Sequence, residues 1–495
     1  MLSFLVYEDG KPAAQWPIRN AHLVGVDDVG IKGSIRFEDG RVIAEKAAAG
    51  PAALSLQFEI PELGDFMLQT CLLPERSEPY LLSVELARQR LTRIIAKQED
   101  WAMFEVPPDS PAHATLTVAK QKFVEALSVL NEPSAADALA RESLRASIDA
   151  SEELSLTHAE ALLARRVANG TLSRYAFGCG AGLDQSPEQL GPALHGHIDY
   201  LCLQTPWRAV EPREQEHQWQ SLDRWCEWAV KQRLPVIAGP LIGFTASSAP
   251  QWLAVWENDY DTVRELLYEH VETMVGRYRN LVSLWNTISG IHVNGRFAFN
   301  FEQMMDLTRM AVMLTKKTNP AARTLIELTQ PFGEYYASNQ RSIPPIMYAE
   351  MAVQSGIPFD AFGLRVLMGR PADGQWTRDL LQLSAMLDRF NGLGKPVHIT
   401  AAAVPSEPLE RADDRERGGY WRKPWSPQIQ ALWLERFYRV ALSKPFVESV
   451  AWLDIADRES SELAAGGLLS EKNQPKPSLR KLASLRKSIH EPAHV

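Results

Sequence analysis

Hydrophobic and polar positions change their spacing twice along the 495-residue chain. Up to about residue 75, short apolar runs (LSFLVY, AHLVGV, IKGSIRF, RVIAEK, ALSLQFEI and FMLQTCLL) are separated by EDGK, DDVG, EDGR and AAGP. Asp-Gly between alternating runs is a hairpin signal, because the tight turn needs positive φ at both positions. Six strands at this spacing predict a small β-sandwich-like domain over 1–78.

From 79 to 172 the period becomes helical. YLLSVELARQRLTRIIAKQEDW, VAKQKFVEALSVL and the stretch from Ala135 to Ala168 carry apolar residues three and four apart. Pro107, Pro108 and Pro111 separate the first helix from the second, and NEPS separates the second from the third, with Ser134 the expected N-cap. This segment reads as a helical linker or collar.

From 173 to 490 short apolar runs alternate with helical patterns. YAFGCG, DYLCLQ, PVIAG, LVSLWNTIS, TLIELT, DAFGLRV, PVHITAA and SVAWLDIA each precede a helix-like segment. Eight such units predict an α/β fold, a (β/α)8 TIM barrel preceded by the β-sandwich-like domain and the helical region. No strand is followed by G-x-G-x-x-G and no P-loop is present, so the doubly wound nucleotide-binding alternative is weaker. In a barrel the chemistry sits at the C-terminal strand ends.

Composition narrows the reading. Hydrophobic residues at 45% and charged residues at 23% fit a globular chain. Lys and Arg number 52 against 61 Asp and Glu, a net charge of −9, which makes a poor nucleic-acid binder. Cys71, Cys179, Cys202 and Cys226 have neither C-x-x-C nor zinc spacing and read as reduced, buried thiols. His195 and His197 lack a partner set for a metal, and no cofactor motif is evident. The start, MLSFLVYEDG, has no basic n-region, and no apolar stretch is long enough to span a membrane. The expected location is cytoplasmic, without a membrane or nucleic-acid partner.

Seven segments of the barrel region, in order, resemble glycoside hydrolase family 10, the endo-1,4-β-xylanase family. They are FGCG at Phe177, TPW ending at Trp207, VIAGPLIGFTASSAPQWL from Val236, LWNTISG from Leu284, DAFGLRVLM from Asp360, KPVHITAAAV from Lys395 and NQPKPSLRKL from Asn473. The resemblance implies a retaining glycosidase fold, in which two glutamates about 5–5.5 Å apart act as acid/base and nucleophile. Matching the family's W-D-V-V-N-E to LWNTISG places the acid/base at Gly290. Matching I-T-E-L-D-V places the nucleophile at Ala401. The asparagine beside the acid/base becomes Ser289. The sugar-reading His and Trp of the third strand become Pro240 and Phe244, and the Gln and His of the sixth become Arg365 and Leu367. Glycine and alanine can neither transfer a proton nor attack an anomeric carbon, so the family's reaction is not expected from the family's residues.

Other acids could have moved in. Glu327 on the fifth strand, Glu407 after the seventh and Asp457 after the eighth are the relocated candidates, with Glu334 and Asp454 nearby. Against this stands a structural use: Glu327 paired inside the barrel, for example with Arg365, and Asp454 and Asp457 capping loops. Aromatics fall in or beside the strand-to-helix loops: Trp207, Phe244, Trp252, Phe332, Tyr335, Tyr336, Tyr420, Trp421 and Trp425. Together with polar residues at the strand ends, the expected ligand-binding set is Trp207, Phe244, Asn286, His292, Arg365, Trp421 and Trp425. Packing is the competing use for Trp421 and Trp425, and Trp225 and Trp228 read as core. The loop from Ser406 to Trp425 has the length of a lid or interface.

Three functional expectations follow. The first is a catalytically silent family-10-like barrel that binds an oligosaccharide or polysaccharide or serves as an interaction scaffold. The second is an active glycoside hydrolase using relocated carboxylates. The third is a structural protein, with homo-oligomerisation through the N-terminal domain.

Overall fold

The computed structural model describes every residue except 48, 104–109, 246, 409–417 and 492–495. The N-terminal strands form two four-stranded sheets. One runs Tyr80–Leu81, Leu2–Leu5, Arg41–Lys46, Gly33–Glu38, and the other Gly30–Ile31, His22–Val24, Ala53–Ile60, Gly64–Gln69. The Asp-Gly turns behave as their sequence requires. Asp39 and Gly40, joining two adjacent strands, have φ of 47° and 73°, the paired positive values of a two-residue hairpin turn.

Three helices follow: Leu82–Asp100, Pro111–Ser128 and Pro133–Ala168. Ser110 caps the second, its side chain accepting from the His113 amide. The third departs from expectation. Its N-cap is Glu132 with Pro133 in the first turn, and the Ser134 hydroxyl is donated instead to the Gly10 carbonyl. Proline at that position needs no N–H partner, so the helix can begin without a side-chain cap.

Eight parallel strands close the barrel: Phe177–Ala181, Tyr200–Gln204, Val236–Gly239, Val282–Ser289, Arg323–Leu328, Ala361–Leu367, Val397–Ala403 and Val447–Trp452. Pairing of the first strand with the eighth and of the third with the fourth completes the ring. Alternate residues point inward. Tyr200, Ile237, Leu284, Leu325, Ala361 and Ala451 form a separate apolar cluster inside it. Small residues make room for large ones: a Cβ on Gly178 would stand 2.2 Å from the Tyr200 ring. Outside the ring, Trp225 is fully buried and packs edge-on against Trp228, as their helical spacing predicts.

The N-terminal sheets, helices and barrel are not loosely strung together. One continuous apolar cluster runs from Leu2 and Phe4 through Leu144 and Ile148 to the barrel. The Gly64–Gln69 edge strand is capped by barrel loops, with the Asp65 amide donating to the Tyr420 carbonyl and the Met67 amide to that of Thr377. Arg166, at the end of the long helix, donates to the carbonyls of Leu442, Lys444 and Val447. Glu152, in the middle of that helix, is buried. It accepts from the Trp421 indole at 2.6 Å, pairs with Arg422 at 2.7 Å and accepts from the Leu380 amide. Burial pushes the Glu152 carboxyl up, and Arg422 opposes that shift.

Trp421→Ala removes a fully buried indole and one partner of a buried carboxylate. The expected loss is about 3–5 kcal/mol. Urea denaturation followed by circular dichroism should show the N-terminal sheets and the barrel shifting together; independent transitions would contradict a shared core.

Candidate functional site

Above the apolar cluster the inward positions turn polar. Gln204, Asn286, Glu327, Arg365 and Thr400, from the second, fourth, fifth, sixth and seventh strands, line a cavity of about 210 Å³ at the barrel's C-terminal mouth. The loops add Gln330, Gln375, Arg458 and Glu462. No aromatic side chain lines this cavity among the described residues.

Glu327 is buried and both its oxygens are engaged. Ser289 and Thr400 each donate a hydroxyl to it at 2.5 Å. Arg365 makes its ion pair with Glu462, at 2.5 Å, rather than with Glu327. Gln375 donates to the other Glu462 oxygen at 2.7 Å. Burial alone would raise the Glu462 carboxyl, but Arg365 brings it below its ordinary value. Arg458 spans Asp454 and Asp184, at 2.7 and 2.5 Å, and donates to Gln204. Cys202 lies beside Glu327, and burial pushes its thiol up to about 12, so it is no thiolate nucleophile.

Three buried amide oxygens on this cavity have no hydrogen-bond partner: those of Asn286, Gln330 and Gln375. A buried acceptor without a donor is unfavourable by about 1–3 kcal/mol, so each of these oxygens is an acceptor that the protein itself leaves unfilled.

The positions assigned to the two glutamates have different surroundings. Gly290 ends the fourth strand at φ 64°, and a Cβ there would meet the Thr329 hydroxyl at 2.8 Å. Ala401 is buried, lines the mouth and pairs in register with Arg365. Of the relocated candidates only Glu327 reaches the cavity. Glu407 is exposed and off its lining. Asp457 pairs with Lys476 at 2.6 Å and accepts from the Gly467 amide, a loop-capping use. Asp454 is likewise held by Arg458 and Ser461.

Of the seven ligand-binding candidates, Asn286 and Arg365 line the cavity and the five others do not. Trp207 is buried, donates to Glu211 at 2.7 Å and stacks on His270. Phe244 is half-buried against Phe297 and Phe299. His292 is fully buried, stacked on Tyr348 and bonded to the Thr329 carbonyl. Trp421 serves Glu152, and the Trp425 indole donates to the Gly419 carbonyl. Each was placed near the mouth by strand order, but its apolar body is better buried under the loops than left in water. The centre of the 406–425 loop lies outside the described residues, and its described ends do not line the cavity. Sequence reasoning missed Glu462, Arg458, Gln204 and Gln375. The one signal available was the length of the loop after the eighth strand, DRESSELAAGG.

The fold and mouth define an (β/α)8 barrel with a polar pocket at the strand ends, where barrel enzymes carry their sites. The chain belongs to glycosyl hydrolase family 10, whose family model matches residues 204–482. Among solved structures, it is similar to native xylanase 10B from Thermotoga maritima, at 15% identity over 66% of this chain and 98% of that one, TM-score 0.48. Xylanase 10B from Thermotoga petrophila RKU-1, solved with xylobiose, matches at 17% identity over 66% and 97%, TM-score 0.48. The GH10 structure from Paenibacillus barcinonensis matches at 16% over 67% and 98%, TM-score 0.49. No helix among the described residues is long and apolar enough to cross a membrane, and they contain no group of three or more metal-ligating side chains.

The buried histidines set a pH limit. Burial drives His292 down to about 4 and His270 down to about 3. Below the ordinary imidazole value near 6.5 the unfolded chain therefore binds more protons than the folded one. Stability should hold above about pH 6.5 and fall as the pH drops toward 4. A denaturation midpoint that stays flat between pH 6.5 and 4.5 would show that these histidines take up protons without unfolding.

Proposed function

We propose that this family 10 barrel has lost the family's hydrolytic reaction and uses its mouth to bind a short, hydroxyl-rich carbohydrate. The three partnerless amide oxygens of Asn286, Gln330 and Gln375 carry the binding half of this reading. They call for hydroxyl donors, and a sugar supplies several from one small body. The cavity, about 210 Å³, is below the ~300–1,000 Å³ usual for larger ligands, which favours one or two sugar rings over a long chain. With no aromatic face among the described residues of its lining, recognition rests on hydrogen bonds rather than ring stacking.

Catalytic silence is supported by the side chains on the mouth. Gly290 and Ala401 offer no titratable group. The two carboxylates on the lining, Glu327 and Glu462, have every oxygen bonded to a protein donor. Retaining hydrolysis needs one carboxyl free to donate a proton and one free to attack. The relocated-carboxylate alternative names Glu327, Glu407 and Asp457; with the last two off the cavity, it needs Glu462 beside Glu327 and both to abandon these partners.

The test is a panel of xylo-, cello- and mixed-linkage oligosaccharides at high protein concentration, read by mass spectrometry, with calorimetry on mono- and disaccharides alongside. Cleavage is expected to stay at the buffer level while a sugar binds. Gln330→Leu and Gln375→Leu should each weaken binding by about tenfold, the loss of roughly one hydrogen bond. Chain-specific cleavage abolished by Glu327→Gln would overturn the reading. Restoring both glutamates, Gly290→Glu with Ala401→Glu, should leave cleavage at background, because position 290 has left-handed backbone and crowds Thr329.

A further inference from the structure

A second cavity, about 300 Å³, lies where the N-terminal sheet, the Leu82–Asp100 helix and the barrel meet. Its charge is unlike that of the chain as a whole. Arg90, Arg93, Lys97, Arg378 and Arg389 line it against two carboxylates, Asp28 and Glu334. His22, also on the wall, adds no charge at neutral pH, because burial pulls it down to about 4. The lining is strongly cationic in a molecule of net charge −9.

Lys97 is paired with Asp100 at 3.1 Å and Asp388 at 3.4 Å, but the four arginines are incompletely matched. Arg93 and Arg389 both face the single carboxylate of Asp28, each at 3.5 Å, too far for a strong hydrogen bond, and Arg93 also donates to the Gln69 side-chain oxygen at 3.2 Å. Arg90 and Arg378 are more than nine-tenths buried. Arg90 pairs with Asp379 at 2.8 Å and bonds Ser151, yet its Nε has no partner. Arg378 pairs with Glu334 and lies over the Phe332 ring at 4.5 Å, yet its Nη1 has no partner. Burial drives the Arg378 guanidinium down to about 9, a penalty that a bound anion would oppose. The remaining Glu334 oxygen is also buried and partnerless, so the same wall offers an acceptor for a hydroxyl.

We propose that this junction cavity binds a phosphate ester of a small hydroxylated molecule, with the phosphate among the arginines and a hydroxyl on Glu334. Guanidinium groups with free N–H donors match phosphate oxygens in geometry and charge. The partnerless Glu334 oxygen favours an ester carrying hydroxyls over bare phosphate. This site is separate from the mouth and does not depend on the reading given to it.

The experiment titrates the full chain by calorimetry at low salt with inorganic phosphate, glycerol 3-phosphate and glycerol. Both phosphates should bind, the ester more tightly, and glycerol not at all. Arg93→Gln with Arg389→Gln, at two partly exposed positions, should weaken both phosphates by about tenfold or more without changing the unliganded melting temperature greatly. Raising salt from about 50 to 200 mM should weaken them on the wild-type chain as well. Gln330→Leu at the mouth should leave phosphate binding unchanged. Absence of saturable phosphate binding, or equal affinity in the double arginine variant, would overturn the proposal. Inorganic phosphate binding as tightly as the ester would remove Glu334 from it.

Discussion

A buried carboxylate is tolerable only when its oxygens are filled, and Glu152 sets that condition for the whole molecule. It sits on the helix that joins the N-terminal sheets to the barrel. Its partners come from two separate parts of the barrel chain, Leu380 at the start of the Leu380–Asp388 helix after the sixth strand and Trp421 with Arg422 after the seventh strand. None of those groups can move far without stranding a charge in an apolar surround. The helical region is therefore a clamp, and the sheet ahead of it shares the barrel's apolar cluster.

The mouth applies the same rule to a different end. Glu327 and Glu462 each satisfy the requirement that buried charge be compensated, one with two hydroxyls, the other with a guanidinium and an amide. Such compensation fixes both carboxylates in place. The side-chain amides of Asn286, Gln330 and Gln375, by contrast, keep an oxygen that no protein donor fills.

The fold was legible in the sequence because period is a local property. Alternating runs with Asp-Gly turns gave hairpins, and eight apolar runs with intervening helical patterns gave the ring. The site was legible only where strand position alone decides direction, as at Asn286, Glu327 and Arg365. It was not legible for Trp207, His292, Trp421 and Trp425, whose loop positions fit either the mouth or the packing beneath it. Burial of a large apolar body decided between them, and that depends on partners such as Glu152 and Glu211 that lie far away or on another turn. Glu462 was hidden for the converse reason: nothing local in DRESSELAAGG says which of its acids folds back over the sixth strand.

The fastening of Gly418–Trp425 to the preceding sheet and helix has a kinetic meaning. In many barrel enzymes, access is timed by a loop that swings over the strand ends on a microsecond to millisecond scale. Here the C-terminal end of the seventh loop is stapled by main-chain bonds to Asp65 and Leu63 and by the Trp421 indole. That end cannot serve as a hinge. Motion of that end would have to break these bonds, so it moves with the sheet and the long helix rather than independently of them.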